Sequence, residues 1–221
     1  MQNERRKRMQ QRKTFNSNSE WLAGRKEQGI GASSAAAVVG LSPWKTPTEL
    51  WKELTGQIKP KDLSDNQAVQ QGNRMEPAIR HFFQCRHPEY ELEYHQYDLI
   101  FQSERPWMFA TLDGEFHTEN GRNGILEIKN VTPRGKTGWE EWNGKVPTHY
   151  YIQILHQFLA TGYDMAILCP ALYTAHEDVI IREYEFYREE QEEDMKWLLE
   201  REEAFWRSVK NGTIPAFSVH F

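Results

Sequence analysis

The segment GILEIKN (residues 124–130) decides how the chain is read. Ile125, Leu126 and Ile128 give it the character of a buried strand. Side chains alternate faces along a strand, so Glu127 and Lys129 project on the same side. A carboxylate and an ammonium two positions apart are most often a solvent-facing ion pair, and the pattern alone does not exclude that. The neighbourhood adds to it. Asp113 lies 14 residues upstream in ATLDGEF, where Gly114 ends or bends the preceding strand. Strands joined by a short connection pair as a hairpin, which brings Asp113 close to Glu127. Two such carboxylates form a hard oxygen site suited to Mg²⁺, with Mn²⁺ as a substitute. The backbone carbonyl of Ile128 adds another oxygen from the same edge. Lys129 is then placed to stabilise the charge that develops when water attacks a phosphodiester.

Composition limits the alternatives. The 221 residues suffice for one substantial domain and are few for two. The expected organisation is a single domain over 1–221, with a basic arm over 1–20 and an amphipathic helix over 189–209. With 38% hydrophobic and 13% aromatic residues the chain can bury a real core. No apolar run is long enough for a membrane span, and MQNERRKRMQQRKTF lacks the apolar stretch of a secretory signal. A cytosolic protein is expected. Cys85 and Cys169 form no CxxC pair, which argues against a zinc ribbon, an iron–sulfur cluster or a disulfide framework. Both read as small buried apolar residues. The net charge of −5 is the wrong sign for a protein coated in nucleic acid. The start is basic, however, with Arg5, Arg6, Lys7, Arg8, Arg12 and Lys13 against Glu4. A polyanion site must therefore be local, and the other reading of the basic start is a solvated, frayed terminus.

Along the chain, residues 33–39 read as a short helix stopped by Gly40. A second follows Pro47 through Leu54, with Gly56 just beyond its end. Residues 57–71 read as a loop, and GNRMEPAIRHFFQCR (residues 72–86) as a helix with Ile79, Phe82 and Phe83 on one face. Strands follow in YELEYHQYDLIF, in WMFATLDGEF with a break at Gly114, and in GRNGILEIKN. PTHYYIQILHQFLATG is a helix, MAILCPAL and DVIIREYEF are strands, and a helix over 189–209 carries Met195, Leu198, Leu199, Phe205, Trp206 and Val209 as its apolar stripe. This order predicts an α/β or α+β fold with a central mixed sheet flanked by helices.

Two helices bear on the site. Glu76 is an acid at the start of an apolar helix, where the plain reading is interaction with the helix dipole. His149, Gln153 and Gln157 are spaced i, i+4, i+8 and share a polar stripe, which either faces solvent or looks into the site. His149 and His156, seven apart, read as hydrogen-bonded surface histidines.

In combination, GIGASSAAAVVGLSPWKTPTELWKELTG, GNRMEPAIRHFF, ATLDGEF, GILEIKN and YYIQILHQFLATG resemble, in order, the YqaJ-like viral recombinases. These are the phage λ exonuclease branch of the PD-(D/E)XK nucleases. The resemblance covers residues 25–162. It implies a restriction-endonuclease-like core and Mg²⁺-dependent degradation of one strand of linear double-stranded DNA from the 5′ end. It also implies a phage or prophage protein in a bacterial host, working beside a single-strand annealing protein. Some relatives are toroidal trimers. Carried over by position, Asp113 and Glu127 are metal ligands with the Ile128 carbonyl, Lys129 is the catalytic lysine, Glu76 the helix-borne acid and Gln153 the helix glutamine. Ser33 and Ser34 in GASSA resemble the segment that grips the 5′-phosphate, which suits small residues presenting N–H groups and hydroxyls to an anion. Arg25 or Lys26 adds charge, and Lys45 stands in the same region beside Trp44, which reads as a packing residue. The family often has an acid where Ser34 stands.

Three rival readings follow. A serine hydrolase would need an apolar strand before Ser33, and GRKEQGI is not one. A DNA-end-binding module without chemistry would have no need of these acids and this lysine. A structure-specific endonuclease could use the same site, because an exonuclease differs from it by a closed tunnel rather than by residues.

Overall fold

In the computed structural model, residues 9–176 and 178–215 are described. The described chain opens with β1 (Gln10–Thr14) and α1 (Asn18–Gln28), where the Ser17 side chain caps the first turn. Then β2 (Ile30–Gly31) runs into a 3₁₀ turn (Ala32–Ser34) and the short α2 (Ala35–Val38), closed by Gly40 at φ +75°. The next helix, α3 (Pro47–Leu54), opens on a reciprocal cap between Thr46 and Glu49. After it come α4 (Gln67–Arg86), β3 (Glu91–Glu93), β4 (Asp98–Gln102), β5 (Met108–Ala110), β6 (Gly114–His117) and β7 (Asn123–Val131). Helices α5 (Gly135–Glu140) and α6 (Thr148–Thr161) lead to β8 (Met165–Tyr173), β9 (Val179–Ile181) and β10 (Tyr184–Tyr187). A 3₁₀ turn (Arg188–Glu190) and α7 (Glu192–Asn211) complete the described chain.

The strands form two mixed sheets. The larger has the order β10-β8-β7-β6-β3 with β9 also on β8, and the smaller has the order β1-β4-β5-β2. In the larger sheet β7 and β8 run parallel, with Glu127 opposite Leu168, and the crossover between them is supplied by α5 and α6. The strand β7 is buried on both faces, as a central parallel strand should be. Ile125 packs with Phe158 of α6 and Leu198 of α7, whereas Leu126 and Ile128 pack with Ile79 and Phe83 of α4. No helix among the described residues is long and apolar enough to cross a membrane.

Several expectations change. Residues 91–101 are not one strand. β3 belongs to the larger sheet and β4 to the smaller, and Tyr97 at φ +65° turns the chain between them. The break in WMFATLDGEF falls over Thr111, Leu112 and Asp113, and Gly114 starts β6 rather than ending a strand. The loop over 57–71 ends early, because Asn66 accepts from the N–H groups of Ala68 and Val69 and starts α4 at Gln67. Phe82 is 40% exposed, since Ile79 and Phe83, one turn apart, define the inward face. Cys169 is buried but Cys85 is exposed, on the outer side of α4. Within the expected basic arm, Gln10–Thr14 is a paired edge strand, and Arg12 bonds to Asp98 at 2.8 Å and Glu115 at 2.7 Å. Arg5, Arg6, Lys7 and Arg8 lie outside the described residues.

Candidate active site

The β6–β7 hairpin pairs Gly114 with Leu126, so Asp113 falls opposite Glu127 just where β6 has ended. Asp113 Oδ2 accepts the Ile128 N–H at 2.8 Å. In an antiparallel ladder the N–H and C=O of one residue point to the same edge, so the Ile128 carbonyl faces the side on which Asp113 lies. Lys129 Nζ lies 2.5 Å from Glu127 Oε1, as the period of the strand requires.

The face that Glu127 and Lys129 share does not look into solvent. Helix α6 covers it, and Glu127 is only 2% exposed. The polar stripe of α6 turns inward for that reason. Gln153 Nε2 donates to Glu127 Oε1 at 2.6 Å and Gln157 Nε2 to Glu127 Oε2 at 2.5 Å. Lys129 also sits 5.3 Å above the Tyr150 ring, a cation–π contact from the same helix. His156, expected at the surface, is instead fully buried. Its Nε2 bonds the Phe109 carbonyl at 3.0 Å and its Nδ1 meets Glu202 of α7 at 2.7 Å. This contact seats α6, and with it both glutamines, against β5 and α7.

The electrostatics are those of crowded acids around Lys129, with Arg80 beside Glu76. Burial, then the Glu127 charge, push the Asp113 carboxyl well above the usual carboxylate range, with Lys129 opposing. Burial also raises Glu76 on α4, against the pull of Arg80 and with a further push from Glu127. Burial alone would lower Lys129, but Glu127 and Asp113 outweigh it and hold its ammonium above the ordinary value. Glu76, Asp113, Glu127 and Lys129 therefore share one field, with Arg80 also acting on Glu76. Such a set of hard oxygen donors fits a divalent cation.

The residues expected at the 5′-phosphate form a second group. Arg25 donates from Nη1 to Thr111 Oγ1 at 2.8 Å, lies over the Trp21 and Phe109 rings at 4.7 and 5.4 Å, and passes beside Gly31. Burial lowers its guanidinium to about 10, which leaves it a cation at neutral pH. Ser33, exposed, and Ser34, partly buried, occupy the 3₁₀ turn that follows Gly31. Thr111, two residues before Asp113, joins the two groups. Nothing in ATLDGEF marks this threonine, so the sequence alone does not point to it. Lys45 is paired with Glu53 instead. Trp44, expected to pack, is 69% exposed, with its ring edge-on to that of His149 and tilted against that of Tyr150.

Elsewhere, Glu93, His95 and Glu115 bring ligand atoms within 4.8 Å of one another. Both Glu115 oxygens already accept from Arg12 Nη2, at 2.7 and 2.8 Å. A cation there would have to compete with that guanidinium.

Two mixed sheets flanked by helices, with acids and a lysine gathered where a short hairpin ends, define a mixed α/β fold. Residues 20–164 match the YqaJ-like viral recombinase domain, and the chain belongs to that family. It is 29% identical to the protein YqaJ of Bacillus subtilis (strain 168), over 90% of this chain and 59% of that one, so it spans well under two-thirds of its relative's length. The alkaline exonuclease LHK-Exo of Laribacter hongkongensis has the same fold, at 19% identity with a TM-score of 0.63, covering 88% of this chain and 94% of that one. Its complex with dAMP gives 0.65 at 20% identity over the same shares. A phage-related exonuclease of Haemophilus somnus 129PT gives 0.53 at 13% identity, covering 83% and 96%.

Proposed function

We propose that the chain is a Mg²⁺-dependent exonuclease that degrades one strand of linear double-stranded DNA from its 5′ end. The observation that carries the reading is the joint placement of Asp113, the Ile128 edge, Glu127 and Lys129 at the end of one hairpin. Support comes from the family, and from structural neighbours described as exonucleases, one of them bound to dAMP.

Asp113, Glu127 and the Ile128 carbonyl would hold the cation, with Glu76 nearby. When bound, Mg²⁺ polarises the scissile phosphate and eases deprotonation of water. Lys129, kept charged by its acidic neighbours, stabilises negative charge that builds in the transition state. Gln153 and Gln157 keep both oxygens of Glu127 directed, and α6 keeps bulk water off that face. Arg25, bonded to Thr111 two residues before Asp113, and the Ser33 turn would grip the terminal phosphate, setting the end from which cutting starts. In this reading the 3′ tails left behind feed a single-strand annealing partner in phage-type recombination within a bacterial cell, and a ring-shaped homotrimer would account for processivity.

The test is digestion of linear and closed circular duplex DNA with and without Mg²⁺. Metal-dependent loss of linear DNA, with circles intact, supports the proposal. Nicked circles move the chain to the endonuclease class.

A further inference from the structure

The strand β9 (Val179–Ile181) pairs with β8 along one edge, and its other edge meets no strand among the described residues. Its side chains are apolar. Val179 is 42% exposed and Ile180, on the opposite face, is 41% exposed. Free backbone groups lined by valine and isoleucine are a template for a further strand. The proposed catalysis makes no use of this edge.

The hydrogen bonds to β8 show which groups are left over. The Thr174 N–H donates to the Asp178 carbonyl at 2.9 Å, and the Arg182 N–H donates to the Pro170 carbonyl at 3.1 Å. Backbone groups alternate edges along an antiparallel strand, so Asp178, Ile180 and Arg182 turn theirs to β8. Val179 and Ile181 turn theirs outward. A second β9 laid antiparallel on that edge, with Val179 opposite Ile181 and Ile180 opposite itself, satisfies the outward N–H and C=O groups of both strands.

The charges select the same register. It sets Asp178 of each copy opposite Arg182 of the other, on the face they share with Ile180. Asp178 is exposed. Arg182 commits Nη1 to the Trp142 carbonyl, and its fork of donors has further N–H groups for a carboxylate. A shift of two residues in either direction would instead put Asp178 or Arg182 opposite Ile180. DVIIR (residues 178–182) is therefore complementary to its own reverse.

We infer that β9 is an interface for a second copy of this chain: two DVIIR segments pair antiparallel about a two-fold axis at Ile180 and continue the larger sheet from one copy into the other. The inference goes beyond the nuclease reading and stands on the geometry of the strand. A contact this small belongs to the weak, concentration-dependent class. Because it is isologous, it produces even-numbered assemblies.

The test is cross-linking of the full chain with the exposed Cys85 replaced by serine (Cys85→Ser). In that background Ile180→Cys should form a disulfide-linked dimer under mild oxidation, because position 180 faces itself across the axis within disulfide reach. Val179→Cys is as exposed, but its own counterpart is a diagonal neighbour about 7–8 Å away, too far for a disulfide. It should link at least about tenfold more slowly. Sedimentation velocity over a concentration series gives a second reading. Wild type should reach an even-numbered species, and Ile180→Lys, which sets two ammonium groups together on the axis, should lose it with circular dichroism unaltered. Equal linking at positions 179 and 180 would mean random collision and would overturn the interface. No linking at either would also overturn it, leaving the edge to a strand of another protein. So would an assembly state that Ile180→Lys leaves unchanged across the series.

Discussion

Gln157 Nε2 donates to Glu127 Oε2 at 2.5 Å, one helical turn beyond Gln153, which holds the other oxygen at 2.6 Å. Together with Lys129 on Oε1, the two amides fix the plane of the carboxylate. Gln157 is fully buried, so this is its place in the site and not a surface contact. Partners that orient a metal ligand typically matter 10–100-fold. Gln157→Leu should therefore raise the Mg²⁺ concentration for half-maximal cleavage by about tenfold. An unchanged Mg²⁺ titration would mean that Gln157 only fills space.

Lys129 is the cation among three acids, and its removal should be felt twice. Lys129→Met should slow cleavage by at least about 100-fold, the scale of losing one transition-state charge stabiliser. It should also make the thermal midpoint more sensitive to Mg²⁺ than in wild type, because Asp113 and Glu127 lose their internal counter-charge. Equal Mg²⁺-induced shifts in both proteins would contradict that account.

Arg25 remains charged and sits beside the Ser33 turn. Arg25→Gln should abolish any preference for 5′-phosphorylated over 5′-hydroxyl ends, while Ser33→Ala should weaken it less. Rates on paired substrates differing only in the terminal phosphate measure this. A preference that survives in Arg25→Gln would place the phosphate elsewhere.

His156 and Glu202 are both fully buried, joining α6 to α7. Removing one partner from a buried pair leaves the other stranded, at a cost of about 3–5 kcal/mol. Glu202→Ala should lose that much in urea unfolding. A loss under about 1 kcal/mol would show that the pair behaves like a surface contact.

His149 carries a pH signature. Burial and then Lys129 lower its ring to about 4, below its unfolded value of 6.5. A depressed histidine binds its proton better when unfolded, so its contribution is present above pH 6.5 and is lost as pH falls toward 4. The slope is at most about 1.4 kcal/mol per pH unit, and less where solvent screens a half-buried ring. His149→Gln should flatten stability against pH in that window relative to wild type. Parallel curves would remove His149 as the cause.

The hairpin and its acids were readable from the sequence because strand period and turn spacing are local properties: Asp113, Glu127 and Lys129 follow from them. The burial of Glu127 did not, since a strand's polar face looks the same whether solvent or a helix covers it. The stripe of Gln153 and Gln157 remained ambiguous for the same reason. The burial of His156 has no local signal, because its partners, Glu202 and the Phe109 carbonyl, are 46 and 47 residues away. That the strands divide between two sheets is not visible in residues 91–116, which show strands but not which neighbours they pair with. Thr111 has no local mark at all, and only the fold sets it at the site.

The proposed activity is that of a metal-dependent exonuclease working from the 5′ end at Asp113, Glu127 and Lys129. The most direct measurement is release of label from linear duplex DNA marked at the 5′ or the 3′ end, in Mg²⁺ or EDTA, by wild type and Glu127→Gln. Early release of the 5′ label by wild type in Mg²⁺, absent in EDTA and in Glu127→Gln, is the predicted result. Label release by Glu127→Gln at the wild-type rate, or none by wild type with any divalent metal, would contradict it.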